Sequence, residues 1–180
     1  MLKIDKSSHL ITDISYFPTT NCDERPEDCC IDTVIIHCIS LPKGAFDNDN
    51  VAKLFTNKLD CSSDPSFDSL KNLRVSAHIF IRRNGEIIQF VPFHLRAWHA
   101  GRSSHKGREN CNNFSVGIEL EGSVDENYEE NQYVQLRELI GALKICYPKI
   151  MDDNIIGHSE ISPDRKKDPG PFFNWEKIRN

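Results

Sequence analysis

Residues 31–38 read "IDTVIIHC", a short β-branched apolar run that ends on a histidine. A run with no polar alternation is covered on both faces, which makes it a buried central strand of a layered α/β fold. Working outward, "VSAHIFIRR" (75–83) and "EIIQFVP" (86–92) flank Asn84-Gly85, and that dipeptide predicts a two-residue type I′ hairpin. "FSVGIELEG" (114–122) alternates and stops at glycine as a fourth strand, and "NIIGH" (154–158) is a weaker fifth. Between the strands, residues 48–59 place Val51, Leu54, Phe55 and Leu59 on one helical face. Residues 130–147 put Tyr133, Leu136, Ile140, Leu143 and Tyr147 at alternating spacings of three and four, and Pro148 ends that helix. Residues 172–178 suggest a short closing helix, and 93–113 reads as a long functional surface loop. The expected fold is therefore α/β, a central mixed sheet of about five or six strands flanked by helices, in a single domain over 1–180.

The 180 residues, 38% hydrophobic and 27% charged, can bury a sizeable core without staples. A net charge of -5 provides no broad basic field, so nucleic acid is not an expected partner. No apolar run is long enough for a leader or a membrane span, so the expectation is a cytoplasmic protein with no membrane partner. Seven cysteines without a CxxC pair read as free or buried thiols in a reducing compartment.

Candidate chemistry lies at strand ends and in loops. A hydrolytic zinc site needs three nitrogen or oxygen ligands and one open position, where the pKa of water falls from about 16 towards about 7. His37 at the end of one strand, His158 after Gly157 at the end of another, and Asp168 between Lys167 and Pro169 can supply that set. Spacing alone does not select them. Glu119 alternates against Ile118 and Leu120, so its carboxylate faces a pocket or solvent. Lys166 is a solvated loop lysine or points into the same cleft as Asp168. An amide hydrolase needs a base for water and a donor for the developing oxyanion, and these two residues suit those roles.

Taken together, "VIIHCIS", "RVSAHIFIRRNGEIIQFVPF", "RAWHAGRSSHKGRENCNNFSVGIELEG" and "GHSEISPDRKKDPGPFFNW" resemble the zinc-dependent N-acetylmuramoyl-L-alanine amidases of the AmpD type, whose fold is shared with peptidoglycan recognition proteins. The resemblance runs from about residue 13 to about residue 178, in the same order. It implies one Zn2+ per chain on His37, His158 and Asp168, Glu119 as the catalytic carboxylate, and Lys166 as the group supporting the tetrahedral intermediate. It implies hydrolysis of the amide between the lactyl group of 1,6-anhydro-N-acetylmuramic acid and L-alanine in recycled cell-wall fragments. It also implies that Trp98 lines a sugar pocket and that Arg74 holds a peptide carboxylate.

Two positions depart from that pattern. Cys38 stands where asparagine often follows the first zinc histidine, and Asn110 stands where arginine often precedes Cys111. Both positions line the peptide side in the family, so the hold on the anhydromuropeptide substrate is expected to differ there. Cys38 should point to the opposite strand face from His37. His99, beside Trp98, is expected to touch substrate; His78 packs or supports the site; His9, His94 and His105 are expected on the surface. A monomer is expected. Two other classes stay open: a non-catalytic muropeptide-binding module of the same fold, and a metal-dependent phosphoesterase. Retained Glu119 and Lys166 argue against the first, and the lack of a Gly-rich phosphate cradle argues against the second.

Overall fold

A computed structural model describes residues 2–179. In chain order the strands are β1 (Ser15–Tyr16), β2 (Cys22–Asp23), β3 (Thr33–Ile39), β4 (Ile79–Ile81), β5 (Ile87–Gln89), β6 (Arg96–Ala97), β7 (Ser104–His105), β8 (Arg108–Glu109), β9 (Ser115–Glu121) and β10 (Ile155–Gly157). The α-helices are α1 (Asn50–Phe55), α2 (Glu130–Cys146) and α3 (His158–Ile161). Six strands form one mixed sheet in the order β1-β5-β4-β9-β3-β10. All its neighbours are parallel except the β4–β5 hairpin. β2–β6 and β7–β8 are separate antiparallel ribbons.

The central pair β3–β9 is buried on both faces, as its apolar run demands. On one face Val34, Ile36, Val116, Ile118 and Leu120 pack against Tyr133, Leu136, Leu139, Ile140 and Leu143 of α2. On the other face two apolar clusters stand apart. One joins Phe80, Ile88 and Phe90 to Val51, Leu54 and Phe55 of α1, and the other joins Ile35 and Ile156 to Ala100, Phe114 and Ile161. Polar side chains of β3 and β9 come up between these clusters. Strand periodicity thus sorts the sheet into a continuous core face and an interrupted face that can hold chemistry.

Three local expectations are corrected. The Asn84-Gly85 turn is not type I′, because only Gly85 takes positive φ, at +92°. Gly85 N–H donates to Arg82 O and Arg82 N–H to Glu86 O, while the Asn84 side chain accepts from Glu86 N–H. Those bonds describe a type I turn closed by a left-handed glycine. The helix expected over 48–59 stops at Phe55. Asn57 turns left-handed at φ +60°, and the Asn21 side-chain amide donates to both Phe55 O and Asn57 Oδ1. The 93–113 stretch, expected as a long surface loop, carries β6, β7, β8 and a 3₁₀ turn at Cys111–Asn113.

Arg25, missed in the sequence, ties this loop to the sheet. Its buried guanidinium donates to the carbonyls of Phe93, Asn112, Asn113 and Ser115. Next to it His78 is fully buried; its Nδ1 accepts from Gly117 N–H at 3.0 Å and its Nε2 faces Leu95 O at 3.1 Å. Burial, then the Arg25 charge, pull the His78 pKa down to about 3.

Two outcomes follow from this packing. Leu136→Ala, which empties a fully buried site against the sheet, should cost about 2–5 kcal/mol in denaturant unfolding. Because the folded pKa of His78 lies below its unfolded value, its contribution is complete above about pH 6.5 and is lost as pH falls from about 6.5 towards about 3. Urea midpoints should therefore fall between pH 7.5 and pH 5, with this group contributing a slope of up to about 1.4 kcal/mol per pH unit. A pH-independent midpoint would refute it.

Candidate active site

The parallel register pairs His37 of β3 directly with Glu119 of β9. Both occupy positions on the interrupted face, and Gly117 lies two residues before Glu119 on the same face. His158 starts α3 immediately after β10, the neighbour of β3. The segment after α3 then folds back. Ser159 N–H donates to Asp168 O at 2.9 Å, and the Tyr128 hydroxyl donates to Pro169 O at 2.7 Å. Glycine is required at two points of this return. A Cβ at Gly157 would lie 2.7 Å from Pro169 Cδ, and Gly170 combines φ +87° with a contact of 2.8 Å to Val124.

Three donor atoms converge as a result. His37 Nδ1 is 2.8 Å from His158 Nδ1, and Asp168 Oδ2 is 3.2 Å from the first and 3.0 Å from the second. His158 Nε2 faces the Ala100 carbonyl at 3.2 Å, so that nitrogen donates and Nδ1 is left bare. His37 Nε2 is likewise engaged on the far side, 2.9 Å from His99 Nδ1. Burial pushes His37 down to about 4, against the opposing pull of Asp168. The two imidazoles hold the Asp168 carboxyl well below the usual carboxylate range despite its burial. Bare nitrogens and an ionised carboxylate pressed together are a cation's donor set, and two imidazoles with one carboxylate suit zinc.

Glu119 is half-buried beside this cluster, with its Oε2 shielded from solvent. Burial, then the Asp168 charge, raise its pKa well above the ordinary range, and Lys166 opposes them. Its Oε2 has no hydrogen-bond partner. A buried carboxylate oxygen with nothing to accept from belongs to a site that expects a proton, a water or a cation there.

These residues share one cavity of about 240 Å³. His37, His158 and Asp168 line it with Glu119, Lys166 and Trp98, and Leu54, Phe55, Leu70, Leu73 and Val75 form an apolar wall. That wall, supplied by α1 and the chain leading to β4, was not anticipated. Trp98 is half-buried, and its indole N–H donates to Asp23 Oδ1, which Arg96 also grips. Arg74 is exposed between two residues of the apolar wall.

Of three further expected substrate contacts, Cys38 and His99 line this cavity and Asn110 lines a neighbouring groove. Cys38 borders the cavity, but its thiol packs into the α2-facing core and against Tyr128, and burial pushes it up to about 12. Asn110, at φ +58°, lines a neighbouring groove with Arg102, Ser103 and Arg165. His99 turns inward beneath His37, with Nε2 3.3 Å from Ser115 Oγ. Gly117 was the available signal for this, since glycine inside a strand marks close approach of another group. Arg165 donates to Ala100 O and Arg102 O and so straps the 93–113 loop to the returning segment. His9 is half-buried, with Nδ1 2.6 Å from the Tyr147 hydroxyl.

Known proteins share this fold. The N-acetylmuramoyl-L-alanine amidase family model matches residues 26–171. The chain is 49% identical over 162 residues to 1,6-anhydro-N-acetylmuramyl-L-alanine amidase AmpD of Escherichia coli strain K12, covering 90% of this chain and 88% of that one. It superposes on a crystal structure of a selenomethionine AmpD derivative with a TM-score of 0.93 and 46% identity, over 96% of each chain. The Escherichia coli amidase AmiD, solved with the substrate anhydro-N-acetylmuramic acid-L-Ala-D-gamma-Glu-L-Lys, matches with a TM-score of 0.59 and 28% identity, over 86% of this chain and 59% of that one. A family match across most of the chain, together with the shared fold, places the chain in the N-acetylmuramoyl-L-alanine amidase family.

Proposed function

We propose that the protein is a zinc amidase that hydrolyses the bond between the lactyl group of 1,6-anhydro-N-acetylmuramic acid and L-alanine in cell-wall turnover fragments. The observation that carries this reading is the convergence of His37, His158 and Asp168 beside a buried, unpartnered Glu119 carboxylate in one cavity with Lys166. The similarity to AmpD enzymes supports the substrate class.

Zinc held by His37, His158 and Asp168 would supply Lewis acidity towards the scissile carbonyl and towards water. The rest of the work falls to the chain. Glu119 is kept basic enough by burial to take a proton from the attacking water, and it then returns that proton to the departing alanine nitrogen. Lys166 brings a positive charge to the cavity wall, where negative charge develops on the carbonyl oxygen. The apolar wall excludes water, and Trp98, fixed by Asp23, offers a flat face to the sugar ring. Arg74 at the rim is the candidate for a peptide carboxylate. Cys38 and Asn110 contribute less to the substrate than their positions in the family pattern imply. We further propose one amidase domain over 1–180, acting as a monomer in the cytoplasm; seven cysteines with no disulfide suit that reducing compartment.

Purified protein should carry one zinc per chain and split anhydromuropeptide, losing the activity to a chelator and regaining it with zinc. Zinc-loaded protein that binds the fragment and leaves it intact would identify a binding module instead. Glu119→Gln should lower kcat by about 10²–10⁴-fold while zinc content is retained. In the wild type, kcat/KM should fall on the acid side as Glu119 gains the proton that stops it acting as a base, and that limb should be missing from the residual rate of the variant. Lys166→Ala should cost about 10²–10³-fold in kcat, with little change in zinc affinity.

A further inference from the structure

We propose that His99 is a positioning residue for the metal centre: it locks His37 in the tautomer that turns a bare Nδ1 into the site, and Gly117 is the slot that seats its ring. The inference rests on the zinc reading above and goes beyond it by assigning a role to a residue outside the donor set.

The direction of each hydrogen bond beneath His37 is forced from its far end. The Ser115 hydroxyl donates to the Cys111 carbonyl oxygen at 2.6 Å, and a carbonyl can only accept. Ser115 has one proton, so towards His99 Nε2, 3.3 Å away, it is the acceptor, and His99 carries its hydrogen on Nε2. A neutral imidazole has one N–H. His99 Nδ1 is therefore bare and accepts from His37 Nε2 at 2.9 Å. His37, having placed its proton on Nε2, presents a lone pair at Nδ1, the atom that meets His158 and Asp168.

The ring's position is held independently of that chain. A Cβ at Gly117 would lie 2.4 Å from the His99 ring, so the strand leaves out a side chain where the imidazole sits. Asn112 Oδ1 accepts from both His99 N–H and Ala100 N–H, at 3.2 and 2.8 Å. The Ala100 carbonyl in turn faces His158 Nε2. Two consecutive loop residues, pinned by one amide, thus orient both imidazole donors: residue 99 through its side chain and residue 100 through its backbone. Ligand imidazoles commonly give their second N–H to a carboxylate or carbonyl. A neutral histidine does this for His37 without adding a third negative charge near Asp168 and Glu119.

The test uses the full-length chain, stripped of metal and titrated with zinc against a chromophoric chelator. His99→Ala should weaken zinc binding by about 10–100-fold, and His99→Gln, whose amide oxygen can accept from His37, should recover most of that loss. Gly117→Ala, which keeps every imidazole but fills the slot, should weaken it as well. Melting curves of the metal-free variants report whether each has folded. In the wild type, ¹⁵N NMR of the imidazoles should show His99 protonated at Nε2 only and coupled through its Nδ1 to the His37 Nε2–H. Unchanged zinc affinity in folded His99→Ala with a raised KM would overturn the proposal in favour of a substrate contact, and a proton on His99 Nδ1 would overturn it outright. Wild-type protein that takes up no zinc would defeat the zinc reading itself, while the tautomer measurement would still decide the hydrogen-bond chain.

Discussion

The parallel pairing of β3 with β9 is the constraint on which the molecule turns. One register places Ile36 opposite Ile118 and His37 opposite Glu119. The same pairing therefore builds the α2-facing core and sets an imidazole beside a carboxylate on the other face. Slipping it by one residue would send His37 and Glu119 into the apolar core and bring Ile36 and Ile118 out, a change that burial alone forbids. This imidazole–carboxylate pair is thus located by the hydrophobic effect, whose energy comes from residues on the opposite face of the sheet.

Placing titratable groups at a sheet centre is costly, and the surroundings show how the cost is met. His78 and His99 are kept neutral by burial, His78 accepting from Gly117 N–H and His99 bonded to Ser115. Asp168 keeps its charge against two imidazoles. Arg25, without a carboxylate partner, spends its donors on four carbonyls. Glu119 Oε2 is left without a partner where it borders the cavity. An unsatisfied carboxylate oxygen at such an opening, beside a cluster of bonded titratable groups, is the pattern of a reaction centre.

How much of this could be read in the sequence follows from which forces are local. The apolar runs at 31–38 and 114–122 and the face of 130–147 carry their own periodicity, so β3, β9 and α2 were legible. The turn at Asn84 and the end of α1 were not, because each is decided by a side chain that bonds the backbone: Asn84 to Glu86, and Asn21 to Phe55. His37, His158 and Asp168 were selected through the resemblance, since two histidines and an aspartate with no fixed spacing select nothing alone. The bond of His99 to His37 was not legible for a related reason. His99 lines the cavity with its neighbour Trp98, but its ring is seated beneath His37 by a gap in β9 that local sequence around residue 99 does not contain.

The two departures from the family pattern gain a physical meaning from the fold. Cys38 occupies a strand position whose side chain belongs to the α2 face, so its chemistry acts on packing against Tyr128 rather than on a ligand. Tyr128 also donates to Pro169 O, next to Asp168. A change at position 38 is therefore transmitted to the returning segment that carries Asp168 and Lys166, one contact away from the donor set. Asn110 sits at a left-handed position opening the 3₁₀ turn that presents Asn112 to His99 and Ala100. Both positions thus lie in the scaffold of the His37, His158 and Asp168 cluster, reached through Tyr128 in one case and through Asn112 in the other.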